Sequence, residues 1–206
     1  WQEKRNLNIG SNPLNIDFMN RGYFYASSKV HESDIGGFGG SDNAQKKIKK
    51  SLHFPAGTLA LTVVPEAVDS AHGPYKGYKV FLSNSQQKMP VTFPAQDSRL
   101  YMNVQALDKD GIWKDIEYLP SSWCGNSYHT MILEANRYWE FVTPQYEGGI
   151  KTKLRIKLLV NQAADNGKEE GDFPIFSNEY DGSVNPAQFW RKRGYTSGGL
   201  MDPYND

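Results

Sequence analysis

The chain has 206 residues, of which 38% are hydrophobic and 22% are charged. This composition supports one hydrophobic core and argues against wholesale disorder. The 23 basic residues balance the 23 acidic residues, so the formal net charge is zero. Because a dedicated nucleic-acid binder usually carries a basic excess, we expect no nucleic-acid partner. No apolar run approaches the roughly 18 residues that a membrane-spanning helix requires, so we expect no membrane span.

Residues 1–57 predict an irregular N-terminal arm. The runs Gly10–Pro13 and Gly36–Gly40 give the backbone a freedom that resists regular structure. The chain begins at Trp1 and not at Met, which predicts an upstream segment such as a processed export signal, a cleaved tag or an unobserved start. A lipid anchor upstream of residue 1 is also left open.

A β-strand pattern begins at residue 58. Residues 100–107 alternate strictly between apolar and polar positions, which is typical of a strand with one buried face. The sequence Asp108-Lys109-Asp110-Gly111 then predicts a tight turn, after which 112–118 return as the partner strand. Further strands are predicted at 58–64, 78–82, 91–93, 131–133, 138–143 and 151–160, with a last one inside 173–184.

Residues 151–160 carry the clearest of these signals. Their period of two places one apolar row and one basic row on opposite faces of the strand. Such a pattern favours an antiparallel sheet, since parallel strands covered on both faces are continuously apolar. With turns about every ten residues, we predict an all-β antiparallel sandwich over 58–184, of jelly-roll or Ig-like type. The basic row is Lys151, Lys153, Arg155 and Lys157, and the apolar row is Leu154, Ile156, Leu158 and Val160.

Residues 185–206 predict a short helix followed by a tail. Asn185 is a favourable helix N-cap, and Pro186 fits the first helical position before 187–192. Glycines at 194, 198 and 199 and Pro203 then indicate an extended end.

Three stretches, 122–129, 138–158 and 175–189, carry a resemblance to known sequences. From about residue 100 to 189 the chain resembles uncharacterised exported or cell-envelope β-sandwich proteins of Bacteroidota-type bacteria. The resemblance implies an extracytoplasmic location, either in the cell envelope or secreted. It implies no known activity and supplies no site residues.

Cys124 and His129 are the nucleophile and base that lie close together in sequence, and Asn126 is a candidate to orient the imidazole. Catalytic Cys and His are usually remote in sequence, and no signature of a thiol enzyme flanks this pair. A single cysteine beside Trp123 is more often a small buried hydrophobe. We therefore predict no catalytic residue and keep a Cys124/His129 hydrolase or transferase as a remote alternative.

The sequence predicts neither a metal site nor a cofactor. His31, Glu32 and Asp34 lie close together, but no second pair of ligands has metal-site spacing. The turn at Asp108 lacks the glutamate that a calcium loop needs, since Leu119 occupies that position. Phosphate-binding and dinucleotide-binding glycine motifs do not occur.

The basic row of 151–157 has two interpretations. Four like charges concentrate a positive potential that suits an anionic glycan, a lipid headgroup or an acidic partner. Lysines on a strand also protect a sheet edge from association, and we favour this solvated or edge-protecting role. We expect the row to be neutralised across the sheet by Asp115, Glu117 and Glu140.

Three aromatic residues are candidate binding residues. Trp113 stands opposite Ile112 and Ile116 on its strand, and Trp123 and Tyr128 lie in a loop rich in Pro, Ser and Gly. Exposed aromatic rings stack on sugars or fill partner pockets, although residues that cover the ends of a sandwich give the same sequence.

The leading hypothesis is a non-catalytic envelope or extracellular protein that binds a protein partner as a subunit of a larger assembly. Its motivation is the absence of catalytic motifs together with two extensions that have little core pattern, since such arms order against a partner. The alternative is a carbohydrate-binding module. The candidate binding residues are Trp113, Trp123, Tyr128, Lys151, Lys153, Arg155 and Lys157.

Overall fold

The computed structural model describes residues 12–49, 51–71, 75–119, 125–162 and 171–192. Strands make up 57% of the structure and helical turns 4%, which confirms the predicted all-β class. In chain order the strands are β1 (Leu14–Asn15), β2 (Asn20–Arg21), β3 (Lys46–Lys47), β4 (Leu59–Ala71), β5 (Tyr75–Asn84), β6 (Val91–Gln96), β7 (Arg99–Leu100), β8 (Met102–Leu107), β9 (Trp113–Asp115), β10 (Glu117–Tyr118), β11 (Tyr128–Leu133), β12 (Arg137–Pro144), β13 (Tyr146–Glu147), β14 (Ile150–Gln162), β15 (Gly171–Phe176) and β16 (Tyr180–Val184).

Three antiparallel sheets form the body of the protein. One has the order β3-β12-β5-β4, a second β11-β6-β7, and a third β15-β14-β8-β9. In the third sheet, β16 pairs with the first part of β14 and β15 with its last part. Two short parallel pairs, β1-β13 and β10-β2, attach the N-terminal arm.

The apolar row of β14 lies in the core, as its alternation predicts. Leu154, Ile156, Leu158 and Val160 are each at most 2% exposed. Leu154 pairs with Ala106 of β8 on one side and with Tyr180 of β16 on the other. Burying a side chain of this size contributes about 1.5–3 kcal/mol, so this row is a major part of the driving force for folding.

A single buried cluster joins the three sheets. Trp139 of β12 contacts Phe93 of β6 edge to face, with ring centroids 5.9 Å apart. Val104 of β8 and Ile156 of β14 belong to the same cluster. The Trp139 indole N–H donates to the Ser27 carbonyl at 3.1 Å, so this buried polar group is satisfied.

The N-terminal arm is irregular, yet its described residues pack on the sheets. Leu14, Met19, Phe24 and Ala26 are all buried. Its strands are two residues long, and Tyr25 makes only an isolated bridge with Arg99. The arm therefore contributes apolar side chains to the core of its own chain.

The arm also covers the outer edge of β11 with side chains in place of a strand. Such capping satisfies N–H groups that would otherwise offer a template for association. Both polar atoms of the Gln45 amide form hydrogen bonds with this edge, and its Nε2 donates to the Ile132 carbonyl at 2.7 Å. The N–H groups of Thr130, Ile132 and Glu134 donate to side-chain oxygens of Asp34, Ser28 and Gln45 at 3.2, 3.1 and 2.9 Å.

The predicted turn between β8 and β9 is confirmed. The Asp108 N–H donates to the Ile112 carbonyl, and Gly111 has a φ of +76° that favours glycine. The Asp108 carboxylate accepts the backbone N–H groups of Asp110 and Ile112 at 2.9 and 2.8 Å. Its place is therefore that of a hairpin turn.

The predicted C-terminal helix is a four-residue 3-10 turn, Pro186–Phe189. The Asn185 N–H donates to the Gln188 side chain at 2.8 Å, and the Gln188 N–H donates to the Asn185 carbonyl. The predicted tail beyond Lys192 lies outside the described residues. Within the described ranges, no helix has the length and apolar character needed to cross a membrane.

Asn178 pairs with the edge of β4 in the way a neighbouring strand would. Its Oδ1 accepts the Val63 N–H at 2.8 Å, and its Nδ2 donates to the Val63 carbonyl at 3.0 Å. Truncation in Asn178→Ala removes both bonds, so we expect a loss of about 1–3 kcal/mol in the free energy of unfolding, measured by urea denaturation. Glu179→Ala, in the same turn, is the matched control. Equal midpoints for the two variants would contradict this role of Asn178.

Candidate functional site

The basic row lies on the outer face of an inner strand. We call Lys151, Lys153, Arg155 and Lys157 the cationic face. Gln105 of β8 pairs with Arg155, and Lys157 has Asn103 of β8 on one side and Phe176 of β15 on the other. The edge-protecting part of the favoured interpretation is therefore wrong for Arg155 and Lys157, because neither lies on a free sheet edge, while its solvated part stays a prediction.

Arg155 is held between two aromatic rings. Its guanidinium carbon lies 4.3 Å from the centroid of Trp113 and 3.8 Å from that of Phe176. Trp113 comes from β9 and Phe176 from β15, so the rings approach from the two sides of β14. Each such contact is worth about 0.5–1 kcal/mol at exposed sites and more where water is excluded.

A hydrogen-bonded relay fixes the orientation of the guanidinium. Arg155 Nε donates to Gln105 Oε1 at 2.9 Å, and Gln105 Nε2 donates to Asp115 Oδ1 at 2.8 Å. Burial lowers the pKa of Arg155, while Glu179 raises it. An arginine remains charged at neutral pH under these conditions.

The terminal Nη nitrogens of Arg155 are available to a ligand. Among the residues that the structure describes, neither Nη has a hydrogen-bond acceptor, and Arg155 forms no ion pair. Phe176 is 42% exposed, so one wall of the aromatic clamp is open to solvent. The result is a preorganised guanidinium whose donors face outward.

The three lysines of the cationic face differ in their partners. Lys153 forms an ion pair with Asp181 at 2.7 Å, and this hydrogen bond raises the pKa of the lysine. Lys151 is exposed and pairs in register with Ser183. Lys157 has no ion pair or hydrogen bond with any described residue. Lys151, Arg155 and Lys157 therefore form no ion pair with any described residue.

The expected neutralisation is wrong for Glu140, and neither Asp115 nor Glu117 forms an ion pair with the cationic face among the described residues. Asp115 is occupied by Gln105, and Glu117 is buried. Glu140 lies in a different sheet, where its carboxylate binds Lys46 and Lys79 at 2.7 Å each. The outcome depends on which strands become neighbours, which the spacing of charges within a strand does not determine.

A cavity of about 420 Å³ adjoins Lys157 on the same face. Asn103 lines it, is 5% exposed, and has an Nδ2 without a hydrogen-bond acceptor among the described residues. An unpaired buried donor costs about 1–3 kcal/mol, and because this nitrogen is itself buried, a ligand in the cavity can accept from it only if the amide turns over. The other residues of the lining are Met19, Tyr101, Asp115, Glu117, Tyr118, Leu119, Leu159 and Lys192.

Glu117 is a buried carboxyl, and no residue within the described ranges gives it a cationic partner. It is 3% exposed, and it accepts the Tyr146 hydroxyl at 2.6 Å and the Val104 N–H at 3.0 Å. Burial raises its pKa from 4.5 to about 7, and the two hydrogen bonds offset only part of this effect. Sequence reasoning missed this role, because a glutamate in a short strand ordinarily faces solvent.

A larger cavity, of about 700 Å³, lies at the other end of the cationic face. Lys151, Lys153 and Asp181 line it together with Tyr78 and Tyr146. Its charged residues include the Lys153–Asp181 ion pair, which offsets the positive charge at this end.

The proposed Cys124/His129 chemistry gains no geometric support. Cys124 and Trp123 lie outside the described residues. His129 is 7% exposed, stacks on Phe38 with ring centroids 3.6 Å apart, and its Nε2 accepts the Ser98 N–H at 2.9 Å. Burial lowers the pKa of this imidazole. Its accepting nitrogen is thus engaged by the backbone, which is the arrangement of a structural histidine.

Of the remaining candidates, Tyr128 lies beside the far end of β14, where it lines a cavity with Leu159 and Asn161. Tyr128 begins β11, which belongs to another sheet than Trp113 of β9, and Asn126 lies in the short 3-10 turn before it. Within the described ranges, no group of three His, Cys, Asp or Glu side chains could hold a metal ion.

No protein-family model, curated protein sequence or solved structure matches this chain. The function is therefore argued from the geometry of the cationic face.

The buried Glu117 predicts a stability that falls as pH rises. Because its folded pKa is raised, the stabilisation is complete below pH 4.5 and is lost as pH rises through about 7. The shift corresponds to roughly 3 kcal/mol between these limits. Glu117→Gln, which cannot ionise, should lose this part of the pH dependence in urea unfolding at pH 5 and pH 8. Glu147→Gln, at an exposed position in β13, should keep it; parallel profiles for wild type and Glu117→Gln would contradict the assignment.

Proposed function

We propose that this chain is a non-catalytic binding protein that docks an acidic segment of a partner protein on its cationic face. The observation that carries the proposal is Arg155, clamped between Trp113 and Phe176 with its Nη donors free of described acceptors. We further propose that the sheets are arranged as a jelly-roll or Ig-like sandwich. Its support is the buried cluster that Trp139 of one sheet shares with Ile156 of another.

The chemistry of the clamp suits a carboxylate. A guanidinium presents two parallel N–H donors, and a carboxylate accepts them with matching geometry. A charge-assisted hydrogen bond of this kind contributes about 1.5–3 kcal/mol. Because Trp113, Phe176 and Gln105 already hold the side chain, binding loses little of its rotamer freedom, which favours affinity.

A protein partner fits this face better than a neutral sugar. One face of the Trp113 ring is covered by Arg155, and Tyr128 lies on another sheet. A sugar-stacking platform would need an open ring face beside hydrogen-bonding groups. The exposed Phe176 ring beside Arg155 does favour a second candidate, an acidic glycan such as a uronate chain.

The cellular setting is part of the proposal. We propose an envelope or secreted location and participation in a larger assembly. The resemblance of residues 100–189 to exported β-sandwich proteins supports the location. An outward-facing site without catalytic machinery among the described residues is in keeping with a role in assembly.

Binding of a fluorescein-labelled octaglutamate peptide, followed by fluorescence anisotropy at low salt, tests the proposal. Wild type should bind, and binding should weaken with added salt because the contacts are ionic. Arg155→Gln should weaken binding by about 10- to 100-fold, the equivalent of about 1.4–2.8 kcal/mol. Arg155→Lys should fall between the two, because it keeps the charge but loses the fork.

Lys88→Gln is the matched control, since it removes one positive charge from an exposed loop away from the face. Equal losses in Lys88→Gln and Arg155→Gln would show non-specific attraction and contradict the proposal. If hexagalacturonate binds more tightly than octaglutamate, and Arg155→Gln weakens that binding, the result would favour the acidic-glycan candidate.

A further inference from the structure

We propose that the cavity beside Lys157 receives one carboxylate of the acidic partner, so that the cationic face selects acidic residues at every second position of an extended segment. This inference rests on the proposed function and adds to it the sequence pattern of the partner.

The walls of the cavity supply the donors for one carboxylate. Lys157 and Asn103 are directly opposite each other on β14 and β8, which places their Cβ atoms about 5 Å apart. Lys157 has no ion pair among the described residues, and Asn103 Nδ2 has no acceptor there. A half-turn of the amide exchanges its nitrogen and oxygen, so the side chain can present a donor to the cavity. One carboxylate would satisfy both groups.

Two lysines, Lys157 and Lys192, line the cavity together with two carboxyl groups, Asp115 and Glu117. Asp115 already accepts the Gln105 amide at 2.8 Å. Glu117 accepts the Tyr146 hydroxyl and the Val104 N–H, and burial favours its neutral form. Lys192, also in the lining, lies over the Tyr118 ring at 6.0 Å and adds positive charge.

The pleat of β14 fixes the distance between the two carboxylate sites. Arg155 and Lys157 are two residues apart on one face, which corresponds to about 6.6 Å along the strand. An extended peptide that runs along β14 has the same repeat, because its alternate side chains also share a face. A pattern of acid, any residue, acid therefore places one carboxylate on Arg155 and the next in the cavity. Two adjacent acids would point to opposite sides.

Two fluorescein-labelled peptides of identical composition test the inference. One repeats Ser-Glu four times, and the other repeats Glu-Glu-Ser-Ser twice, so that no two of its glutamates are two residues apart. Because their charges are equal, non-specific attraction is matched. Wild type should bind the alternating peptide about tenfold more tightly by fluorescence anisotropy.

Two variants test which residues cause the preference for the alternating peptide. Lys157→Gln should reduce it to less than about twofold, whereas the Lys88→Gln control should retain it. Asn103→Leu keeps the side-chain size and removes the unpaired donor, so its melting temperature should equal or exceed that of wild type while the preference is lost. A lower melting temperature with the preference intact would show that Asn103 is structural and would overturn the inference.

The outcomes separate the two proposals. If both peptides bind with equal affinity and Arg155→Gln weakens both, the register inference is overturned and the proposed function stands. If neither peptide shows binding that depends on Arg155, the proposed function fails, and the inference that rests on it fails too.

Discussion

The structure depends on the burial of the apolar row of β14. Leu154, Ile156 and Leu158 enter the core, and a strand alternates its side chains with a period of two. Every residue between them must therefore leave by the opposite face. The cationic face is the geometric consequence of that burial, and Arg155 cannot turn inward without moving the whole apolar row. The position of the clamp is thus set by the strongest energetic term in the fold.

Three backbone N–H groups near this core are satisfied by side chains at points where a neighbouring strand ends. Asn178 completes the edge of β4, Ser177 Oγ accepts the Ile156 N–H, and Glu117 accepts the Val104 N–H. Each replaces a missing strand partner for a backbone group that would be costly to leave unpaired. The partner of the Val104 N–H is the Glu117 carboxyl, and the burial of that carboxyl itself costs free energy. Single side chains therefore complete the backbone pairing of β4, β8 and β14.

Sequence patterns predict which face of a strand a side chain occupies better than they predict which strands pair in a sheet. The alternation of 151–160, the turn at Asp108 and the outward position of Trp113 could all be read locally, because each follows from the period of the chain or from turn chemistry. The aromatic clamp around Arg155 could not be predicted in this way. Phe176 reaches Arg155 only because β15 pairs with the end of β14, and no local rule selects that pairing.

The same limit explains the missed site residues and the wrong ion pairs. Asn103 meets Lys157 through the register of β8 on β14, and Glu140 meets lysines of its own sheet. The arm gave no strand pattern, yet Asp34, Ser28 and Gln45 bind the edge of β11 individually. Such contacts are made by single side chains, which leave no periodic signal. Functional sites built between strands are for this reason less visible in a sequence than the strands themselves.

The identity of the residue at the centre of the face also carries information. A lysine at position 155 would keep the strand alternation and the charge, so folding alone does not demand arginine. A planar guanidinium, however, stacks on two rings and still presents its donors at the edge, whereas an ammonium group has no plane to stack. The aromatic walls of Trp113 and Phe176 and the orienting bond from Gln105 are therefore matched to arginine. This match between the arginine and its surroundings is the feature on which the proposed docking of a carboxylate depends.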